Sequence, residues 1–113
     1  MEVKREIVLP SDPEEVWAAL TEPARLEEWF ANDVELEPVP GGRGVFRWDD
    51  GEERHALVEE LEPERRFAFS WDESRVVIEL EPVEDGTRVL VTETLGAGWG
   101  TALALHGLAA VHA

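Results

Sequence analysis

The sequence predicts an α+β domain: an antiparallel sheet of six to seven strands, two short helices near its start and a third helix at its end. Two periodicities point to this class. Between residues 33 and 94 apolar and polar side chains alternate with period two, broken by short turn-forming clusters, which is the pattern of antiparallel strands buried on one side only. Near residues 13–30 and 99–112 apolar side chains recur at spacings of three and four, as in helices packed by one face. A chain of 113 residues with 43% apolar side chains is enough for one core, so a single domain over 1–113 is expected.

Taken in order, Val3, Arg5, Ile7 and Leu9 open a strand that Pro10 ends, because proline brings no N–H to a ladder. Ser11 with Glu14 three residues on has the form of a capping box, and Pro13 fits a first helical turn whose N–H groups lack partners. Val16, Trp17 and Leu20 make the apolar side of that helix. Thr21 and Pro23 start a second short helix, in which Leu26, Trp29 and Phe30 share a face.

Strands follow. Val34 and Leu36 alternate with Glu35 and Glu37, and Phe46 and Trp48 with Val45 and Arg47. Phe67, Phe69 and Trp71 alternate with Ala68 and Ser70, and Val76, Ile78 and Leu80 with Val77, Glu79 and Glu81. Turn residues at 38–42, 49–51, 62–64, 72–74 and 85–86 join neighbours as hairpins. Glycines 96, 98 and 100 close the last strand, Thr87 to Thr94. Trp99, Leu103, His106 and Ala110 recover helical spacing.

Composition removes several function classes. With 26 acidic against 10 basic residues the formal charge is −16, and the longest basic runs are the pairs Lys4-Arg5 and Arg65-Arg66, so no nucleic-acid partner is expected. The absence of cysteine excludes disulfides, a thiolate nucleophile and cysteine-ligated metal. The opening MEVKREIVLP mixes charge with apolar residues, unlike an export signal, so cytoplasmic residence is expected. Residues 94–113 carry no Asp, Glu, Lys or Arg, yet four glycines and two histidines interrupt them, and no membrane anchor is expected. That uncharged stretch instead predicts a homodimer through the outer side of the final helix.

Several segments together resemble the START/Bet v 1-like (SRPBCC) superfamily, and within it the activator of 90-kDa heat shock protein ATPase homologue-like family. They are SDPEEVWAALTEPARLEEWF at 11–30, PGGRGVF at 40–46, VEELEPERRFAFSW at 58–71, IELEPVEDGTRVLVTE at 78–93 and GWGTAL at 98–103. Their order along nearly the whole chain is more specific than any one of them. The resemblance implies a helix-grip fold, in which a curved antiparallel sheet holds a long C-terminal helix, often with a hydrophobic cavity between them. A final helix of about 14 residues spans about 20 Å, which implies a shallower or more open cavity than in longer relatives.

The expected function is noncatalytic binding of a small hydrophobic or aromatic molecule in that cavity. The candidate contact residues are Phe46, Trp48, His55, Phe67, Phe69, Trp71, Ile78, Trp99, Leu103 and His106. Some relatives in the superfamily are cyclases or hydratases, which implies an alternative in which His55 or His106 carries a proton. The family name implies a second alternative, association with a chaperone in a stress response. No catalytic residue is assigned. The serines have no GxSxG elbow, and the abundant carboxylates single out no acid–base pair. No cofactor or metal is expected either: the glycines at 96–100 lack the Walker lysine, and His106 and His112, six residues apart on a helix, point about 240° apart.

Overall fold

The computed structural model describes residues 2–71 and 74–94. The helix expected over 99–112, the dimer surface predicted on it, and the candidates Trp99, Leu103 and His106 lie outside the described residues.

Strand β1 (Glu2–Leu9) leads into helices α1 (Pro13–Thr21) and α2 (Pro23–Trp29). Six strands follow: β2 (Asp33–Leu36), β3 (Arg43–Arg47), β4 (Glu53–Glu62), β5 (Arg66–Trp71), β6 (Ser74–Val83) and β7 (Gly86–Thr94). They form one curved antiparallel sheet in the order β1-β7-β6-β5-β4-β3-β2. From β2 to β7 every strand pairs with its sequence neighbour, and β1 closes the far edge against β7. The two helices between β1 and β2 carry the chain across the sheet from one edge to the other.

The capping of α1 differs by one residue from the sequence reading. Asp12, not Ser11, is the N-cap, and its Oδ1 accepts from the Glu15 N–H at 2.9 Å. Asp12 and Glu15 have the same three-residue spacing as Ser11 and Glu14, and Pro13 as the first helical residue places the cap immediately before it. Ser11 has another role: its carbonyl accepts a 2.7 Å hydrogen bond from the Thr87 hydroxyl. Thr21 ends α1 rather than starting α2, with its hydroxyl donating back to the Trp17 carbonyl at 2.9 Å. Pro23 then begins α2.

The expected alternation runs through the sheet. Val89 and Val91 on β7, Val76, Ile78 and Leu80 on β6, Phe67, Phe69 and Trp71 on β5, Ala56 and Val58 on β4, and Phe46 on β3 point to the face covered by α1 and α2. There they form the core with Leu9, Val16, Leu20 and Leu26. The other face carries mostly charge. Arg47 binds Asp33, Glu35 and Glu53; Arg66 binds Glu60 and Glu79; Arg75 binds Glu59 and Glu60; Arg88 binds Glu6 and Glu81. Exposed pairs of this kind contribute ~0–1 kcal/mol each. Their long side chains also shelter Ala68 and Val77, which are buried on the same face.

Register shifts in β4 between Val58 and Glu60. This bulge lets Glu59 and Glu60 both reach Arg75 on the outer face, while Leu61 returns to the inner one opposite Phe67. Among the described residues no helix is long and apolar enough to cross a membrane.

Candidate functional site

Strands β3 and β5, on either side of β4, present a patch of rings on the inner face. Phe46 on β3 and Phe69 on β5 each meet Trp71 edge-on, at centroid separations of 5.9 and 5.3 Å. Phe67 lies 5.1 Å from Phe69 and 6.3 Å from Trp17 of α1. Phe30, the C-cap of α2, drops onto this surface: it stacks on Trp71 at 5.8 Å and meets Phe46 and Trp48 edge-on at 5.3 and 5.5 Å. Edge-to-face pairs at these separations suit the ring quadrupoles and add about 0.5–1.5 kcal/mol each beyond burial.

Of the candidates in the described residues, Phe46, Phe67, Phe69, Trp71 and Ile78 are buried together on this face, and Trp48 is half-buried beside them. Trp48 follows β3, and its indole N–H donates to the Phe30 carbonyl at 2.8 Å. His55 is not with them. It sits on the outer face opposite Val45 in the β3–β4 register, exposed, with Nε2 2.9 Å from a Glu53 carboxylate oxygen. Its position does not match its candidacy as a cavity contact, because its neighbours Arg54 and Ala56 take the inward positions. The contiguous apolar run Ala56-Leu57-Val58 hides the strand phase from sequence.

Glu53 is held below the usual carboxylate range, first by the hydrogen bond to His55 and then by that from Arg47. The three carboxylates around Arg47 raise its already high pKa further.

Three inner-face residues are not among the candidate contacts read from the sequence. Phe30 joins the ring patch from a helix end, where periodicity says little about direction. Arg54 is only 9% exposed; its guanidinium carbon lies 4.6 Å from the centre of a Trp71 ring and its Nε lies 3.5 Å from Glu52. Glu93 is 1% exposed on β7, in register with Val76. A strand arginine or glutamate usually marks a solvated position, so sequence gives no signal for either. Among the described residues no group of three His, Asp or Glu side chains is placed to hold a metal. A depression of about 1050 Å³ bounded by Glu6, Arg66, Glu79, Glu81 and Arg88 lies on the charged side of the sheet, away from the rings.

Residues 10–111 match the model of the family described as activator of Hsp90 ATPase homolog 1-like protein. The chain belongs to this family. The activator of Hsp90 ATPase homolog 1-like match confirms the resemblance read from the ordered segments, and the helix-grip class agrees with the sheet and its two helices. Solved structures agree on the fold. Protein MLL2253 from Mesorhizobium loti shares 24% identity over 98% of this chain and 96% of its own, with a TM-score of 0.88. The Aha1 dimer from Colwellia psychrerythraea shares 22% identity over 99% of this chain and 96% of its own, also at 0.88. DynU16, a protein in the dynemicin biosynthetic locus, shares 23% identity over 98% of this chain and 43% of its own, at 0.79. No curated protein matches. Members of the activator of Hsp90 ATPase homolog 1-like family have a ligand-binding type of fold, and the ring patch of this chain lies on the sheet face that α1 and α2 cover.

Proposed function

We propose that residues 1–113 act as one domain that binds a small apolar or aromatic molecule, without transforming it, against the inner sheet face. The observation that carries this reading is the cluster in which the rings of Phe30, Phe46 and Phe69 all meet Trp71 on the inner sheet face. The likeness to DynU16 supports it, since a biosynthetic locus is a setting in which small organic molecules are made. Placement of His55 on the opposite face removes one of the two proton carriers on which a cyclase or hydratase reading depends.

A ligand of ~20 heavy atoms at ~0.3 kcal/mol per atom gains about 6 kcal/mol, a dissociation constant of tens of micromolar. The test is a screen of apolar compounds at high concentration, read by tryptophan fluorescence and by chemical shifts at Trp48, Phe69, Trp71 and Leu103. Saturable, stoichiometric changes support the reading, and silence across a broad library refutes it. The dimeric Colwellia psychrerythraea relative supports a homodimer here too, through the C-terminal segment. Light scattering that gives a monomer mass at every concentration overturns that part alone.

A further inference from the structure

Two of the tryptophan N–H groups are committed to the fold: Trp29 donates to the Ala19 carbonyl at 2.9 Å and Trp48 to that of Phe30 at 2.8 Å. Trp71 differs. Its side chain is 3% exposed, and its Nε1–H is buried and meets no acceptor among the described residues. A buried donor left without an acceptor is costly, and natural structures keep few of them. The arginine on the ring adds a second feature. The Arg54 guanidinium lies 4.6 Å from the Trp71 ring centre, and a cation over the face draws π density toward itself and leaves the N–H edge more positive.

We propose that the Trp71 indole N–H is the polar anchor of the ligand site and selects apolar molecules carrying a neutral acceptor oxygen, such as an aryl ketone or ester. This rests on the binding function proposed above and adds the ligand's chemical class. A neutral acceptor suits the site better than a carboxylate. Glu52 stands 3.5 Å from Arg54 and offsets its charge, and Glu93 is buried on the same sheet face. An anion would enter a protein of formal charge −16 past a carboxylate, and among the described residues the arginine on the ring is already opposed by Glu52.

The experiment compares 2-acetonaphthone with 2-ethylnaphthalene, which match in carbon count and ring shape and differ in the carbonyl. Affinities are measured by calorimetry on the wild-type protein and on Trp71→Phe, which keeps a ring but loses the N–H. The ratio of ketone to hydrocarbon affinity is expected to fall about 5–10-fold in Trp71→Phe, because differences in the ligands' own hydration cancel between the two proteins. In the wild type, the Trp71 indole proton resonance is expected to move downfield with the ketone and not with the hydrocarbon.

An unchanged ratio, or an indole resonance that answers both compounds alike, overturns the anchor and leaves the binding function standing; an indole that merely holds a water gives this result. If Trp71→Phe does not fold, the wild-type resonance decides by the same criterion. If neither compound binds the wild-type protein up to its solubility limit, the anchor falls for this ligand class, and the broad screen alone decides the binding function.

Discussion

The Trp48 indole donates to the Phe30 carbonyl at 2.8 Å, so the turn after β3 is fastened to the end of α2. The same two side chains meet edge-on at 5.5 Å, and Phe30 in turn stacks on Trp71. One hydrogen bond therefore ties a helix end to the turn beside the ring patch. Trp48→Phe keeps a ring there and removes the donor. It is expected to destabilise the fold by about 1–2 kcal/mol in urea unfolding. An unchanged midpoint would show that the bond contributes nothing.

Thr87 is fully buried, and its hydroxyl donates to the Ser11 carbonyl at 2.7 Å, joining the start of β7 to the segment before α1. Thr87→Val preserves shape and leaves that carbonyl without its partner, at an expected cost of about 1–3 kcal/mol. Thr87→Ser keeps the hydroxyl and should lose less. A larger loss in Thr87→Ser than in Thr87→Val would mean that packing of the methyl group, not the hydrogen bond, dominates.

Gly86 and Gly51 separate two reasons for glycine. A Cβ on Gly86 would sit 1.9 Å from the Leu9 carbonyl oxygen, so Gly86→Ala must push β1 away from β7. At Gly51 the space is open, but φ is +93°, a region that side chains disfavour. Gly51→Ala is expected to cost about 1 kcal/mol and Gly86→Ala about 3 kcal/mol or more, with loss of amide protection in β1. Thermal melts and hydrogen exchange check the order, which a milder Gly86→Ala would reverse.

The depressed pKa of Glu53 fixes the sign of a pH effect. A carboxyl whose folded pKa lies below its unfolded value of ~4.3 stabilises the fold above that value, and the contribution is lost as pH falls through the folded pKa. Glu53 should therefore titrate below the ordinary glutamate value of ~4.3 in a carboxyl-detected NMR titration. His55→Ala, which removes the main cause, should move its midpoint up. A midpoint unmoved by this change would assign the shift to Arg47 alone.

Net charge should also act on binding. At low salt a fatty-acid methyl ester is expected to bind more tightly than the free acid, because the protein carries a formal charge of −16. Screening over ~10 Å in 0.1 M salt should narrow the gap. Equal affinities at low salt would contradict the charge argument.

Sequence revealed the strands because burial on one side writes a period of two into the chain, and the ring parity of Phe67, Phe69 and Trp71 survives in the structure. The helix cap moved by one residue because Ser11–Glu14 and Asp12–Glu15 offer the same spacing. His55 was harder to place. In β4 both parities carry apolar residues, and the phase is set by pairing with β3 and β5, which a linear pattern does not contain. Arg54 was invisible for a related reason: its burial depends on a ring supplied by another strand.

The bulge in β4 has a consequence for how the chain tolerates change. Val58 and Leu61 both face inward although three positions separate them, an odd interval that an unbroken strand would send to opposite sides. The supernumerary residue between them is thus a phase corrector. Shortening β4 by one residue at this point would pull the ladder straight without exposing either side chain, whereas the same deletion a few positions earlier would turn part of the strand inside out. Length variation should be tolerated at that joint and penalised elsewhere along the strand.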